Sequence, residues 1–288
     1  MLTAIPPPMA FPPVVTPTAG ASITTTAAVV APAAEAATTP AATPTTPAPP
    51  ILAELSKSKK KDVMLRAHMH ICSFMVAEEA VPTDSVWEKM VARAIHMALE
   101  SVVSQAQVVQ PSSAKKEVIG MMAAMRREYK QYVLCHVNSE FSLRLEPGFK
   151  GSEIEHRAER VQSLLENFNY LRDPQNPNHE FFSSSFFQNF MVDMLFLTSM
   201  NLWKSVQGST LDTVFGLGGA AMAATLKDFG KGYYHEIDSS SNRWRGDYLQ
   251  AIQLISHMRD NLARRDWLDE LQRHIMARGR RGLPPTDV

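Results

Sequence analysis

The sequence predicts an all-α, single-domain bundle of about seven or eight helices behind a disordered N-terminal tail. Three observations lead there. Apolar residues recur at spacings of three and four along most of the chain, and alternating strand patterns are scarce. Six of the thirteen phenylalanines lie between Phe181 and Phe196, directly ahead of a Gly/Ala-rich stretch, Leu211 to Tyr234. An aromatic helix needs a surface to bury against, and a thin Gly/Ala face admits one at close range. The first fifty residues differ: thirty-seven are Ala, Thr or Pro, twelve of the nineteen prolines lie there, and Glu35 is their only charge. Such a segment lacks the large side chains whose burial offsets ordering entropy, so residues 1–55 are expected to be a disordered tail. Residues 56–278 then form one helical domain, long enough for a sizeable core, and 279–288 a disordered end.

The elements follow in order. A first helix is expected from about Ser58 to Glu79, with Val63, Ala67, His70, Ile71 and Phe74 on one face. Pro82 ends it, and Ser85-Val-Trp-Glu88 reads as a capping box for the second helix. That helix carries Trp87, Met90, Val91, Ala94, Ala98, Leu99 and Val102 as its stripe. After Pro111, a third helix presents Val118, Met121, Met122, Met125, Tyr129, Tyr132, Val133 and His136. Phe141 to Phe149 reads as a loop with an extended piece at Phe141–Leu145. A fourth helix, Ser152 to Leu171, buries Ile154, Val161, Leu164, Leu165, Phe168 and Leu171, with Glu153 and Arg157 as an exposed pair. The Asp173–Asn178 turn breaks the chain. The phenylalanine helix is expected from Ser184 to Gln207, closed by Gly208, and Ser209–Asp212 caps the next, Thr210 to Asp228. That joint predicts that helices five and six are antiparallel neighbours. Helices from Asn242 to Asn261 and from Asp266 to Ala277 complete the chain.

Several function classes lose support. The N-terminus lacks the basic and unbroken apolar parts of a secretory signal. The run Phe186 to Trp203 is interrupted by Gln188, Asn189, Asp193, Ser199 and Asn201, too polar for a span of about 20 apolar residues. Cys72 and Cys135 give no disulfide framework and are expected to be free and buried. An intracellular protein, cytoplasmic or nuclear, without a membrane segment is therefore expected. Net charge is zero, so no global field favours nucleic acid. Local basic clusters lie at Lys57, Lys59, Lys60 and Lys61 and at Arg278, Arg280 and Arg281.

Motifs that match only in letters read as structure. Gly216-Leu-Gly-Gly-Ala-Ala221 fits G-x-G-x-x-A, but no strand precedes it, so Gly216, Ala220 and Ala224 read as a thin packing face. Asp228-Phe-Gly230 has none of the kinase context and reads as a helix end. His68 and Cys72 share a helix face, but a zinc site needs two further ligands. Asp193, Asp212 and Tyr234 are the candidate polar groups near the core, with Lys227, Tyr233 and His235 close by in sequence. Lys59, Lys60, Lys61, Arg280 and Arg281 are the candidate basic patch. No catalytic residue, metal or cofactor is expected.

From Leu164 to Met258 the chain resembles a helical domain-of-unknown-function family of multi-copy proteins from basidiomycete fungi. The resemblance rests on Leu164-Leu165, Asn169-Tyr-Leu171, His179-Glu-Phe-Phe182, the helix with Phe190 and Phe196, the Ala-rich helix before Phe229 and Gly232, and Tyr248. The segment Ala114 to Tyr132 matches the family's earlier basic helix. It implies the fold and carries over no site. The expected function is a non-enzymatic helical interaction module with a protein partner. The alternatives are a nucleic-acid-associated protein using the basic clusters, and a small-molecule binder beneath the Gly/Ala helix.

Overall fold

Helices α1 (Lys57–Ala77) and α2 (Asp84–Val102) form the first packed pair. Ser56 caps α1 by accepting the Lys59 amide at 3.4 Å, and the helix buries Val63, Ala67, Ile71, Cys72, Met75 and Val76. His70 and Phe74 stay half-buried; the Arg93 guanidinium of α2 lies 3.7 Å from the Phe74 ring centre and pairs with Glu78. The α2 stripe is as the spacing predicts, with only Val102 partly exposed. Its cap is different. Thr83 directly follows Pro82 and accepts the Val86 amide at 3.4 Å, so Ser85 is already helical.

The computed structural model describes residues 55–102, 112–143, 151–173, 175, 180–198, 201–206, 211–237 and 241–283. All lie within one compact unit, Pro47–Val288. The expected tail through residue 54, residues 144–145 of the extended piece, Gly208 and Ser209 lie outside the described residues. Eight α-helices and no strand occur among those described.

In α3 (Ser112–Glu140), Met125, Tyr129, Val133 and Val137 recur every fourth residue and are buried. Tyr132 is half-buried and His136 exposed. Cys135 is also exposed, contrary to expectation, because it lies on the opposite side of α3 from that stripe. Helix α4 (Gly151–Leu165) ends earlier than predicted. Asn167 and Phe168 take left-handed φ values of 50° and 58°, which breaks the ladder before Leu171. Consequently only Val161 and Leu171 of the expected face are fully buried.

Helix α5 (Ser185–Phe196) is half the expected length. The Thr198 hydroxyl donates to the Met194 carbonyl at 2.8 Å, and Asn201 turns left-handed at φ 46°. The chain then folds back through a short 3-10 turn, Leu202–Ser205, and Trp203 stacks on Phe196 at 5.6 Å. Phe182, Phe187 and Phe215 form an aromatic triangle with centroids 5.0–5.4 Å apart.

Helix α6 (Asp212–Asp228) is central, with every residue from Val214 to Leu226 buried. An all-round apolar helix can exist only there. Its main partner is α7 (Ser241–Asp260), whereas α5 packs chiefly on α8 (Leu262–Arg281). This corrects the expected α5–α6 hairpin: the break after Phe196 lets the chain change direction before α6. The two helices still cross at Gly218, where an added Cβ would lie 2.6 Å from the Met191 sulfur. Gly216 receives Ile252 and Tyr248 of α7, and Gly219 faces Ala251. Close packing therefore accounts for the glycines.

The start of α6 is also held from a distance. Gln272 of α8 accepts the Leu211 amide at 3.0 Å, so a side chain remote in sequence serves as the cap. Asn261 caps α8 through the Arg264 amide at 3.2 Å. α8 continues to Arg281, past the predicted boundary at 278, and its Gly279 lies so close to Phe196 that a Cβ would overlap the ring.

Candidate functional site

The connection from α6 to α7 is fastened at several points. The Asp228 carbonyl accepts the His235 amide at 2.8 Å, and its carboxylate accepts the Ile237 amide at 3.1 Å. Gly230 and Gly232 donate to Lys227 and Phe229. Gly232 adopts φ +79°, and a Cβ there would overlap the Ile154 carbonyl oxygen of α4. The left-handed position is thus Gly232, and Gly230, expected to close the helix, lies just before it. The strap Phe229–Ile237 is therefore pressed onto α4 by a glycine that no other residue replaces without strain.

Ionic contacts reinforce it. The Lys130 ammonium of α3 lies 2.8 Å from Asp228 Oδ2 and 3.2 Å from Glu236, with Arg243 3.9 Å from Asp228 Oδ1. Asp228 is only 1% exposed, so its charge depends on these partners. Burial lowers the Lys130 pKa, but the Asp228 and Glu236 carboxylates outweigh that and hold it above the ordinary lysine value. Outward, the strap presents Tyr233, Tyr234 and Ile237 at 42%, 43% and 41% exposure. Tyr234 leans on Phe229, with ring centres 5.4 Å apart.

The remaining sequence candidates occupy separate places. Asp193 is half-buried and accepts the Tyr132 hydroxyl at 2.5 Å. Asp212 binds Arg259 of α7 at 2.7 Å and Gln272 of α8 at 2.7 Å, and Arg259 also pairs with Asp269. Asp212 and Tyr234 flank opposite ends of α6, about 25 Å apart at 1.5 Å per residue. Lys227 pairs with Asp247, and Arg245 with Glu79 and the Val81 carbonyl. A groove of about 290 Å³ between α3 and α5 is lined by Ser139, Glu140, Phe141, Asp173, Ser184 and Phe186. Its Ser139 and Ser184 hydroxyls are engaged, with the His136 carbonyl and the Phe187 amide. Lys59 and Lys61 are exposed on α1 with Lys60 half-buried, and Arg280 and Arg281 are exposed on the last turn of α8. Among the described residues, no group of three His, Cys, Asp or Glu is placed to hold a metal ion, and no helix is long and apolar enough to cross a membrane. Sequence reasoning missed Lys130 and Gln272, whose roles depend on partners 106 and 61 residues away.

Burial also sets an alkaline limit. It pushes the Cys72 thiol up to about 12, and the Tyr248 phenol up to about 12 against the opposing Ala80 amide bond. Tyr129 and Tyr170 are raised in the same direction by burial. These groups stay neutral in the fold at pH values where the unfolded chain ionises. Stability is then unaffected at neutral pH and falls as pH rises from about 9 through 12. The urea midpoint followed between about pH 7 and 11 should decline above about 9; a flat profile would show that these groups titrate alike in both states.

Fold and site together define an all-helical domain whose ionisable groups join helices to one another and whose α6–α7 strap exposes aromatic side chains. The family model described as Domain of unknown function (DUF6532) matches residues 66–258, and the chain belongs to that family. The match begins in α1, upstream of Ala114, and ends in α7; it includes Lys130 and the strap, with α8 beyond it. No curated protein and no solved structure matches the chain significantly.

Proposed function

We propose that the chain is a non-catalytic helical interaction domain that presents the α6–α7 strap to a protein partner. The observation that carries this reading is the exposure of Tyr233, Tyr234 and Ile237 on a segment pinned by Asp228, Lys130 and Gly232. Tyrosine is enriched among residues that dominate binding energy, and a segment already fixed loses little entropy on association. The candidates Asp193 and Asp212 support it, since each is engaged between helices, as is Asp228. A small-molecule site beneath the Gly/Ala helix is disfavoured because Ile252, Met191 and Ala251 fill that surface. A fungal source and an intracellular setting belong to the same reading.

The test is affinity capture from the native cell with the full chain and a Tyr233→Ala/Tyr234→Ala variant. Truncating two hot-spot tyrosines at about 2 kcal/mol or more each should lower partner recovery at least tenfold. The melting temperature should stay within about 2 °C, because both side chains are on the surface. Full recovery of every partner by a folded variant would refute the strap as the recognition surface.

A further inference from the structure

A second surface, independent of the strap, lies where the end of α8 packs on Phe196, the last residue of α5. Gly279 admits the Phe196 ring, and Trp203 stacks on that ring with planes only 9° apart. Lys204 lies over the outer partner of that stack, Trp203, and Gly279 belongs to the α8 turn that carries Arg278, Arg280 and Arg281. All four cations are exposed, and among the described residues none pairs with a carboxylate. By contrast, Arg66, Arg93, Arg245, Arg259 and Arg264 each have an acidic partner. The two segments that converge, 194–211 and 271–283, contain no Asp or Glu at all. Phe196 is buried and Trp203 half-buried, and among the described residues of the two segments Leu197 is the one exposed large apolar side chain, so the surface offers charge rather than an apolar core.

We infer that this face binds the phosphate backbone of nucleic acid. Arginine forks match phosphate oxygens bidentately, and a positive patch without competing carboxylates concentrates a polyanion. Protein interfaces favour aromatic cores depleted of charge, and membrane-surface helices need apolar residues alongside the cations. Arg278, Arg280, Arg281 and Lys204 supply neither. The basis is backbone contact, so binding should be insensitive to sequence.

The experiment measures binding of the purified full chain to a short fluorescent DNA duplex across a salt series. Four phosphate contacts predict a log–log salt slope of about −3 to −4, equivalent to roughly a hundredfold weakening between 50 and 200 mM salt. Arg278→Ala/Arg280→Ala/Arg281→Ala should weaken binding at least tenfold at low salt and reduce the slope by about 3. Lys204→Ala added to it should remove about one further unit. These positions are exposed, and circular dichroism confirms that each variant is folded. No binding at low salt, an unchanged slope in the triple variant, or equal binding to anionic lipid vesicles or to a polyglutamate peptide would overturn the inference. So would loss of binding only in a variant lacking Lys57, Lys59, Lys60 and Lys61.

Discussion

Replacing Lys130 by methionine should destabilise the protein by about 3 kcal/mol, the lower end of what removing one partner of a buried pair costs. The methionine fills a similar volume, so lost packing is a minor contribution. What remains is Asp228, 1% exposed, with only the Ile237 amide and a guanidinium 3.9 Å away. For a domain of this size that corresponds to a fall in melting temperature of about 6–12 °C. Adding Asp228→Asn should recover most of the loss, since the desolvated charge is then gone. Equal cost in the single and double variants would mean that Lys130 acts by packing alone.

Gly232→Ala is expected to be nearly as damaging, by about 2–4 kcal/mol, and more local in effect. Two causes add. The residue sits at φ +79°, where a Cβ is strained, and that Cβ would overlap a backbone oxygen, Ile154 O, which cannot move without displacing α4. Gly246→Ala provides the contrast. No atom lies within 4 Å of a Cβ there, and the residue is exposed within α7, so the variant should gain up to about 1 kcal/mol. Denaturant melts of the two variants decide between these opposite signs. A neutral Gly232→Ala would show that the strap is free to lift from α4.

Much of the framework is legible in local pattern. The α2 stripe from Trp87 to Leu99 needs only its own periodicity, and the closely packed role of Gly216–Ala224 follows from the absence of a preceding strand. The family was legible for a similar reason, since its landmarks are hydrophobic residues in fixed order. What escaped depends on groups distant along the chain or on single backbone torsions. α5 looked twice as long because Leu197, Met200, Leu202 and Trp203 continue the apolar residues past Phe196 and no Gly or Pro intervenes before Gly208. The stop comes from the Thr198 hydroxyl and the left-handed Asn201. Just after α4 the left-handed pair Asn167-Phe168 has no strong sequence signal, and phenylalanine is an uncommon choice there. The α6 start reads as a Ser209 box, yet Gln272 supplies the partner from α8. The polar candidates failed to converge for the same reason: Asp212 and Tyr234 are close in neither space nor role once α6 is a straight rod between them.

The most direct test of a pre-organised recognition strap is amide hydrogen exchange across Phe229–Ile237 in the full chain. The His235 and Ile237 amides bond to Asp228, and their segment carries the exposed tyrosines. Pinned as described, these two amides should be protected to a degree comparable with α6, at least about a thousandfold over a free peptide, and should lose that protection in Lys130→Met. Exchange at free-peptide rates in the native protein would contradict a fixed strap, and with it the proposed mode of partner recognition.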